Sequence, residues 1–331
     1  MTGEQYIEYW VVFLLTFLLT VVGCRILIPI LRRRHAGQHI LEIGPSWHLS
    51  KAGTPTMGGL SFLFAVSLTS GGYLVYLLWN GRDSEWLLPA LVVAYALLCG
   101  MIGLVDDACK LFKKQNQGLT APQKYVLQLL ASALFLFVAR AWGGVGTSIR
   151  VPFWGGEWEL GFFYYPLALL FLTGLVNALN LTDGLDGLLS ANVAVMGGFL
   201  LLMGFRDKAA QGALSGALLL GAALGFLVFN RHPAKVFMGD TGSLFFGGLV
   251  AATGLVIAHP LAILLAGLVF VWEAISVILQ VVYFKCTKGK RLFRMAPFHH
   301  HLEKCGLGEE SIVSIFAAVS VFLAGLAYFG G

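Results

Sequence analysis

Residues 86–110 read WLLPALVVAYALLCGMIGLVDDACK, an uncharged run that ends in two adjacent carboxylates, Asp106 and Asp107, with Lys110 one turn further on. A hydrocarbon core about 30 Å thick takes roughly 20 apolar helical residues to cross. In lipid every backbone N–H and C=O must be paired within its own segment, which a helix achieves. The run is therefore read as a membrane helix. An acid near the middle of such a helix costs about 2.5–3.5 kcal/mol on insertion scales and less toward the interface, so the two acids mark its inner boundary. Successive helical residues diverge by about 100°, which suits Asp106 and Asp107 to different tasks. A solvated helix end paired with Lys110 and Lys114 is the plainer alternative.

The rest of the chain extends this reading. Of its 331 residues 58% are hydrophobic and 12% charged, against about 25% charged in a soluble domain. Ten windows have spanning length, at 8–31, 57–79, 86–105, 121–142, 162–179, 187–205, 211–229, 242–258, 261–285 and 310–329. Nothing alternates at the scale of barrel strands. The expected fold is all-α, a polytopic membrane protein of about ten transmembrane helices forming one domain over 1–331. The first span is too long for a removed signal peptide and is taken as retained. A small external β-hairpin is expected at about 148–161, turning at Gly155-Gly156. The five cysteines form no C-x-x-C pair and read as packing residues.

Basic residues set the orientation. With the segment after the first span inside, inner loops hold sixteen Lys and Arg and outer loops five, a positive-inside bias that leaves both termini outside. The unusual polar residues crowd the inner side, in loops at about 32–57, 106–124, 177–187, 230–242 and 286–309. Asn177, Asn180, Asp183 and Asp186 recur at a spacing of three and share a face if their helix continues for a turn. The alternative is a capping loop in which Asp183 or Asp186 caps the next helix. VFMGDTGS sets Asp240 between glycines just ahead of an apolar helix, either as an N-cap or as a ligand holding a hard cation against phosphate. Three successive histidines, His299, His300 and His301, point in different directions on a helix and do not suit zinc, whose helical ligand pair is spaced by four. They suit hydrogen bonds to a phosphorylated or sugar ligand. Acids for a metal, lysines for phosphates and a polar patch at a membrane face point to phosphoryl chemistry between a soluble nucleotide donor and a lipid.

The ordered set SKAGTPTMGG, GLVDDACK, NALNLTDGLDGL, NRHPAKVFMGDTGSL and MAPFHHHLEKCG resembles the phospho-N-acetylmuramoyl-pentapeptide transferases, a branch of the polyprenyl-phosphate N-acetylhexosamine-1-phosphate transferases. The resemblance spans about residues 45–310. It implies transfer of phospho-N-acetylmuramoyl-pentapeptide from UDP-N-acetylmuramoyl-pentapeptide to undecaprenyl phosphate, with release of UMP and formation of lipid I, in the bacterial inner membrane and with Mg²⁺. It implies Asp106, Asp107 and Asp240 as the essential acids, with Asp240 the metal ligand. Substrate contacts fall to Lys51, Thr56, Lys110, Lys124, Asn180, Leu181, Asp183, Gly184, Asp186, Asn230, Phe237, Gly239, Gln280 and the three histidines. The linker KKQNQGL carries fewer lysines than the family pattern. No nucleic-acid partner is expected, and a homodimer is left open.

Lipid phosphate has its second pKa near 6, so it is largely a dianion at pH 7. Direct attack on the sugar-linked phosphorus is favoured, with Asp106 orienting or deprotonating the residual monoanion. A covalent route through Asp240 is the second choice. Two other functions compete: an N-acetylglucosamine-1-phosphate transferase of the same superfamily, and a transporter whose pathway uses Glu273 and Gln280.

Overall fold

The computed structural model describes residues 3–33, 53–82, 85–113 and 118–330. Helices follow in the order α1 (Gly3–Arg33), α2 (Gly59–Trp79), α3 (Leu87–Lys113), α4 (Ala121–Ala141), α5 (Tyr164–Thr182), α6 (Leu188–Arg206), α7 (Ala210–Asn230), α8 (Gly239–Val256), α9 (Pro260–Ala266), α10 (Leu268–Cys286), α11 (Phe298–Lys304) and α12 (Glu309–Gly330). The antiparallel strands β1 (Ser148–Val151) and β2 (Gly156–Glu159) lie between α4 and α5. The fold is that of a polytopic all-α membrane protein.

Among the described residues nine helices are long and apolar enough to cross a membrane. The expected tenth, α8, differs from them because every residue from Thr241 to Leu255 is buried. It packs against α2, α3, α5, α7 and α9. A helix that meets protein on all sides need not be apolar toward lipid, so α8 is rich in Gly, Ser and Thr. Without a hydrophobic driving force between membrane helices, close backbone packing holds them together, and small residues permit it. Gly247 of α8 lies against Val176 of α5, and Gly248 against Ala96 and Cys99 of α3. Gly221 and Gly225 of α7, four apart, receive Thr16 and Thr20 of α1.

Two expectations are corrected. The span at 261–285 is two helices, α9 and α10, interrupted at Gly267. The amide of Gly267 still donates to Ile263 O at 2.8 Å and its carbonyl accepts from Phe270 N at 2.9 Å, so the interruption loses little pairing. The hairpin does not turn on Gly155-Gly156. Val151 pairs with Gly156, leaving a four-residue loop, Pro152–Gly155, in which Phe153 (φ 64°) and Gly155 (φ 64°) are left-handed. Proline at 152 has no N–H for a ladder, and the Phe153 amide donates to Gly330 O at the end of α12. The hairpin is further tied down by Arg150 N–H on Ala258 O at 2.9 Å. All these contacts gather at the end of the bundle opposite the polar loops.

Candidate active site

The site begins where α3 meets α8. A Cβ on Gly103 would stand 2.1 Å from the carbonyl oxygen of Asp240, so only glycine permits this approach. One turn further along α3, Asp107 reaches the start of α8. The first amides of a helix have no partner within it and carry the positive end of its dipole. Asp107 supplies the missing acceptors: Oδ1 accepts from Asp240 N at 3.2 Å, and Oδ2 from Thr241 N at 2.9 Å and Thr241 Oγ1 at 2.7 Å. Gly239 makes this possible, since its φ is +71° and a Cβ there would meet Asp107 Oδ2 at 2.5 Å and Thr56 Oγ1 at 3.0 Å.

Asp240 therefore lies inside the first turn of α8, which starts at Gly239 rather than after it. Its Oδ2 accepts from Lys110 Nζ and Lys124 Nζ, each at 2.9 Å, and its Oδ1 from Asn180 Nδ2 at 2.8 Å. Asn180 also donates to Ser243 Oγ at 2.8 Å and lies 3.3 Å from Lys124 Nζ. Asp106 is 3% exposed, which excludes the solvated helix end. Its Oδ2 is 2.6 Å from Lys110 Nζ, and its Oδ1 accepts from Leu119 N at 2.8 Å just before α4. Capping by Thr120 and Gln123 then launches α4, which carries Lys124. Four helices thus converge, and one oxygen from each of Asp106, Asp107 and Asp240 lies within 4.8 Å of the others. Hard carboxylate oxygens so grouped can hold a divalent cation.

The 177–187 segment does not continue as one helical face. Helix α5 ends at Thr182, and Gly187, at φ +79°, opens α6 without a side-chain cap. Asn177 turns to Gln128 Oε1 at 2.6 Å, while Asp186 leaves the Asp240 group altogether. Asp186 Oδ2 accepts from Ala234 N at 2.9 Å and lies 3.1 Å from His232 Nδ1, and its own amide donates to Glu309 at the start of α12. Asp186, His232 and Glu309 form a second cluster of the described residues with metal-ligating atoms close together; all three are engaged with one another. Burial first, and then the charges of Asp240, Asp107 and Asp186, push the Asp183 carboxyl up to about 8.

The remaining expected residues divide between scaffold and periphery. Asn230 accepts from Gly187 N and Ser190 Oγ and donates to Val236 O at 3.0 Å, latching the 183–187 turn to the next loop. Phe237 exchanges backbone hydrogen bonds with Pro55 and Gly58, each at 2.8 Å, which fixes the segment containing Thr56. Leu181 is half-buried at the end of α5. Gln280 places its amide on the backbone of Leu292 and Phe293. His299 is buried against Glu273 and Gly184, His300 lies 2.6 Å from Glu303, and His301 accepts from Arg294 N at 3.1 Å. Lys51 lies outside the described residues. The sequence reading missed Ser243 and Thr241, although both stand in the GDTGS motif, and it missed Glu309, which is 123 positions from its partner Asp186.

The chain is similar in sequence to known proteins over nearly its whole length. The Glycosyl transferase family 4 profile matches residues 89–258, and the phospho-N-acetylmuramoyl-pentapeptide-transferase signature 1 matches residues 51–63. The phospho-N-acetylmuramoyl-pentapeptide-transferase of Clostridium perfringens (strain SM101) is 42% identical over 315 residues, covering 95% of this chain and 94% of that protein. That of Clostridium kluyveri is 42% identical over 94% of this chain and 95% of its own. That of Halalkalibacterium halodurans is also 42% identical, over 96% and 95%. With Asp106, Asp107, Lys110, Lys124, Asn180 and Asp240 all inside residues 89–258 and relatives 42% identical over nearly the whole chain, this chain belongs to the phospho-N-acetylmuramoyl-pentapeptide transferase family.

Proposed function

We propose that the chain transfers phospho-N-acetylmuramoyl-pentapeptide from its UDP carrier to undecaprenyl phosphate at the cytoplasmic face of the bacterial inner membrane, giving lipid I and UMP. The observation that carries this reading is Asp240, held by Lys110, Lys124 and Asn180 at the boundary of a membrane bundle. Three carboxylates against two ammonium groups leave a formal surplus of one negative charge. This environment fits Mg²⁺, with Asp240 as its first ligand and Asp106 and Asp107 beside it. Bound there, Mg²⁺ supplies charge neutralisation to phosphate oxygens.

The chain's own residues do the rest. An oxygen of the lipid phosphate attacks the sugar-linked phosphorus, and the bond to the bridging oxygen breaks, with its electron pair leaving on UMP. Bringing a dianion to a diphosphate is the main barrier, and Lys110 and Lys124 offset that repulsion. The acceptor needs no strong base, being largely ionised at pH 7. Both oxygens of Asp106 are engaged, which supports a role in placing Lys110 over one as a base. Asp107 holds the start of α8 and so aims Asp240. Incubating purified protein with both UDP-N-acetylmuramoyl-pentapeptide and UDP-N-acetylglucosamine, polyprenyl phosphate and Mg²⁺ tests the substrate. A lipid-linked muramoyl peptide with UMP is expected; a lipid-linked N-acetylglucosamine would assign the chain to the sister branch.

A further inference from the structure

We propose that Glu273 is a positioning residue for the transfer reaction: it holds His299 in a single tautomer and thereby seats the 183–187 turn that carries Asp183 and Asp186. The inference rests on the transferase reading above. Glu273 belongs to α10, a helix only 22% buried over its membrane window, yet its side chain and that of His299 are both 0% exposed. A carboxylate in such a place is expensive unless its partners require it.

They do require it. Glu273 Oε1 accepts from the backbone N–H of His299 at 3.2 Å, and Oε2 lies 3.0 Å from His299 Nδ1. The two donors of His299 meet different oxygens of Glu273, so an amide in the same pose would set its NH₂ against one of them. A carboxylate offers two acceptor oxygens, whereas an amide of the same size offers one oxygen and one NH₂. With Nδ1–H given to Glu273, a neutral imidazole carries only a lone pair at Nε2.

That atom is buried and has no hydrogen-bond partner among the described residues. It faces Gly184, where a Cβ would stand 2.1 Å from Nε2. A lone pair rests against a Cα–H at little penalty. The opposite tautomer would press a buried N–H, with no acceptor, into the same backbone. The contact is shared by neighbouring apolar groups: Val269 of α10 packs in one cluster with Leu185 and Leu188, and Trp272 stacks edge-on against Phe298 beside His299. The proton on the far side of the ring thus decides whether the turn lies flush.

The test combines His299 ¹⁵N shifts in the wild-type protein with kinetics of Glu273→Gln, His299→Ala and the double variant, using UDP-N-acetylmuramoyl-pentapeptide and polyprenyl phosphate. The wild type is expected to show Nδ1–H. Glu273→Gln is expected to lower kcat about 10- to 100-fold, the range seen for partners that orient a functional histidine, with KM nearly unchanged and the loss persisting at temperatures where the variant stays folded. Adding it to His299→Ala is expected to change nothing further. An Nε2–H tautomer in the wild type, losses that multiply in the double variant, or a kcat loss that tracks a fall in melting temperature would each overturn the proposal. The tautomer is read on the wild type, so a variant that misfolds does not block the decision. A wild type that forms no lipid product sinks the transferase reading instead, and the ¹⁵N shifts still judge the pair.

Discussion

Asp106 and Asp107 are neighbours in sequence with separate tasks in space. Asp106 binds Lys110 and the Leu119 amide; Asp107 binds the first amides of α8. Neither has an oxygen left over as an obvious base. Asp106→Asn is therefore expected to lower single-turnover transfer by about tenfold or more, the lower range for a lost electrostatic contact, and by the same factor from pH 6 to pH 9. A base acting on the protonated acceptor would instead give a deficit that shrinks as pH rises past about 6, and recovery at pH 9 would restore that role. Asp183 makes the opposite kind of contribution. Its folded pKa, about 8, lies above the ordinary 3.8, so between those values the folded state keeps a proton that the unfolded state has lost. Stability therefore falls as pH rises from about 4 to about 8. Asp183→Asn removes that penalty: its melting temperature is expected to exceed the wild type's by more at pH 8.5 than at pH 5, while activity drops. A pH-independent difference would contradict it.

At the scale of elements, the site depends on two helices touching at Gly103. Gly103→Ala places a methyl 2.1 Å from the Asp240 carbonyl, and α3 and α8 must separate. Overpacking of this kind costs about 1–3 kcal/mol, and a larger share of activity than of stability is expected to go, because Asp107 loses its hold on Asp240. Equal activity at equal expression would show that the contact is slack. The helices themselves were legible from hydropathy, because a lipid-crossing segment must be apolar for its full length. Asp106, Asp107 and Asp240 were legible because acids beside apolar runs need a reason. The break at Gly267 was not, since glycine permits an interruption without demanding one. Nor was the four-residue hairpin loop, which depends on Gly330 at the far end of the chain. The Asp186–Glu309 and Glu273–His299 pairs escaped for the same reason: side-chain pairing between distant segments leaves no local pattern.

At the scale of the whole molecule, the Asp106, Asp107 and Asp240 group lies at one end and the hairpin and its tethers at the other. With sixteen basic residues in the polar-end loops against five, the polar end is expected inside. A cysteine introduced beside Asp183 should react with an impermeant thiol reagent only from the cytoplasmic side, and one beside Gly155 only from outside; the reverse labelling would invert the topology. Asp240, fixed by two lysines and an asparagine, is expected to carry the transfer. The most direct measurement is turnover of purified wild type and Asp240→Asn, side by side, across a Mg²⁺ titration, with folding checked by melting temperature. Wild type should release UMP and form lipid-linked muramoyl peptide in equal amounts, dependent on Mg²⁺. The variant should remain folded and lose about a hundred- to a thousand-fold in rate, without recovery at high Mg²⁺. Near-normal transfer by folded Asp240→Asn would contradict the claim.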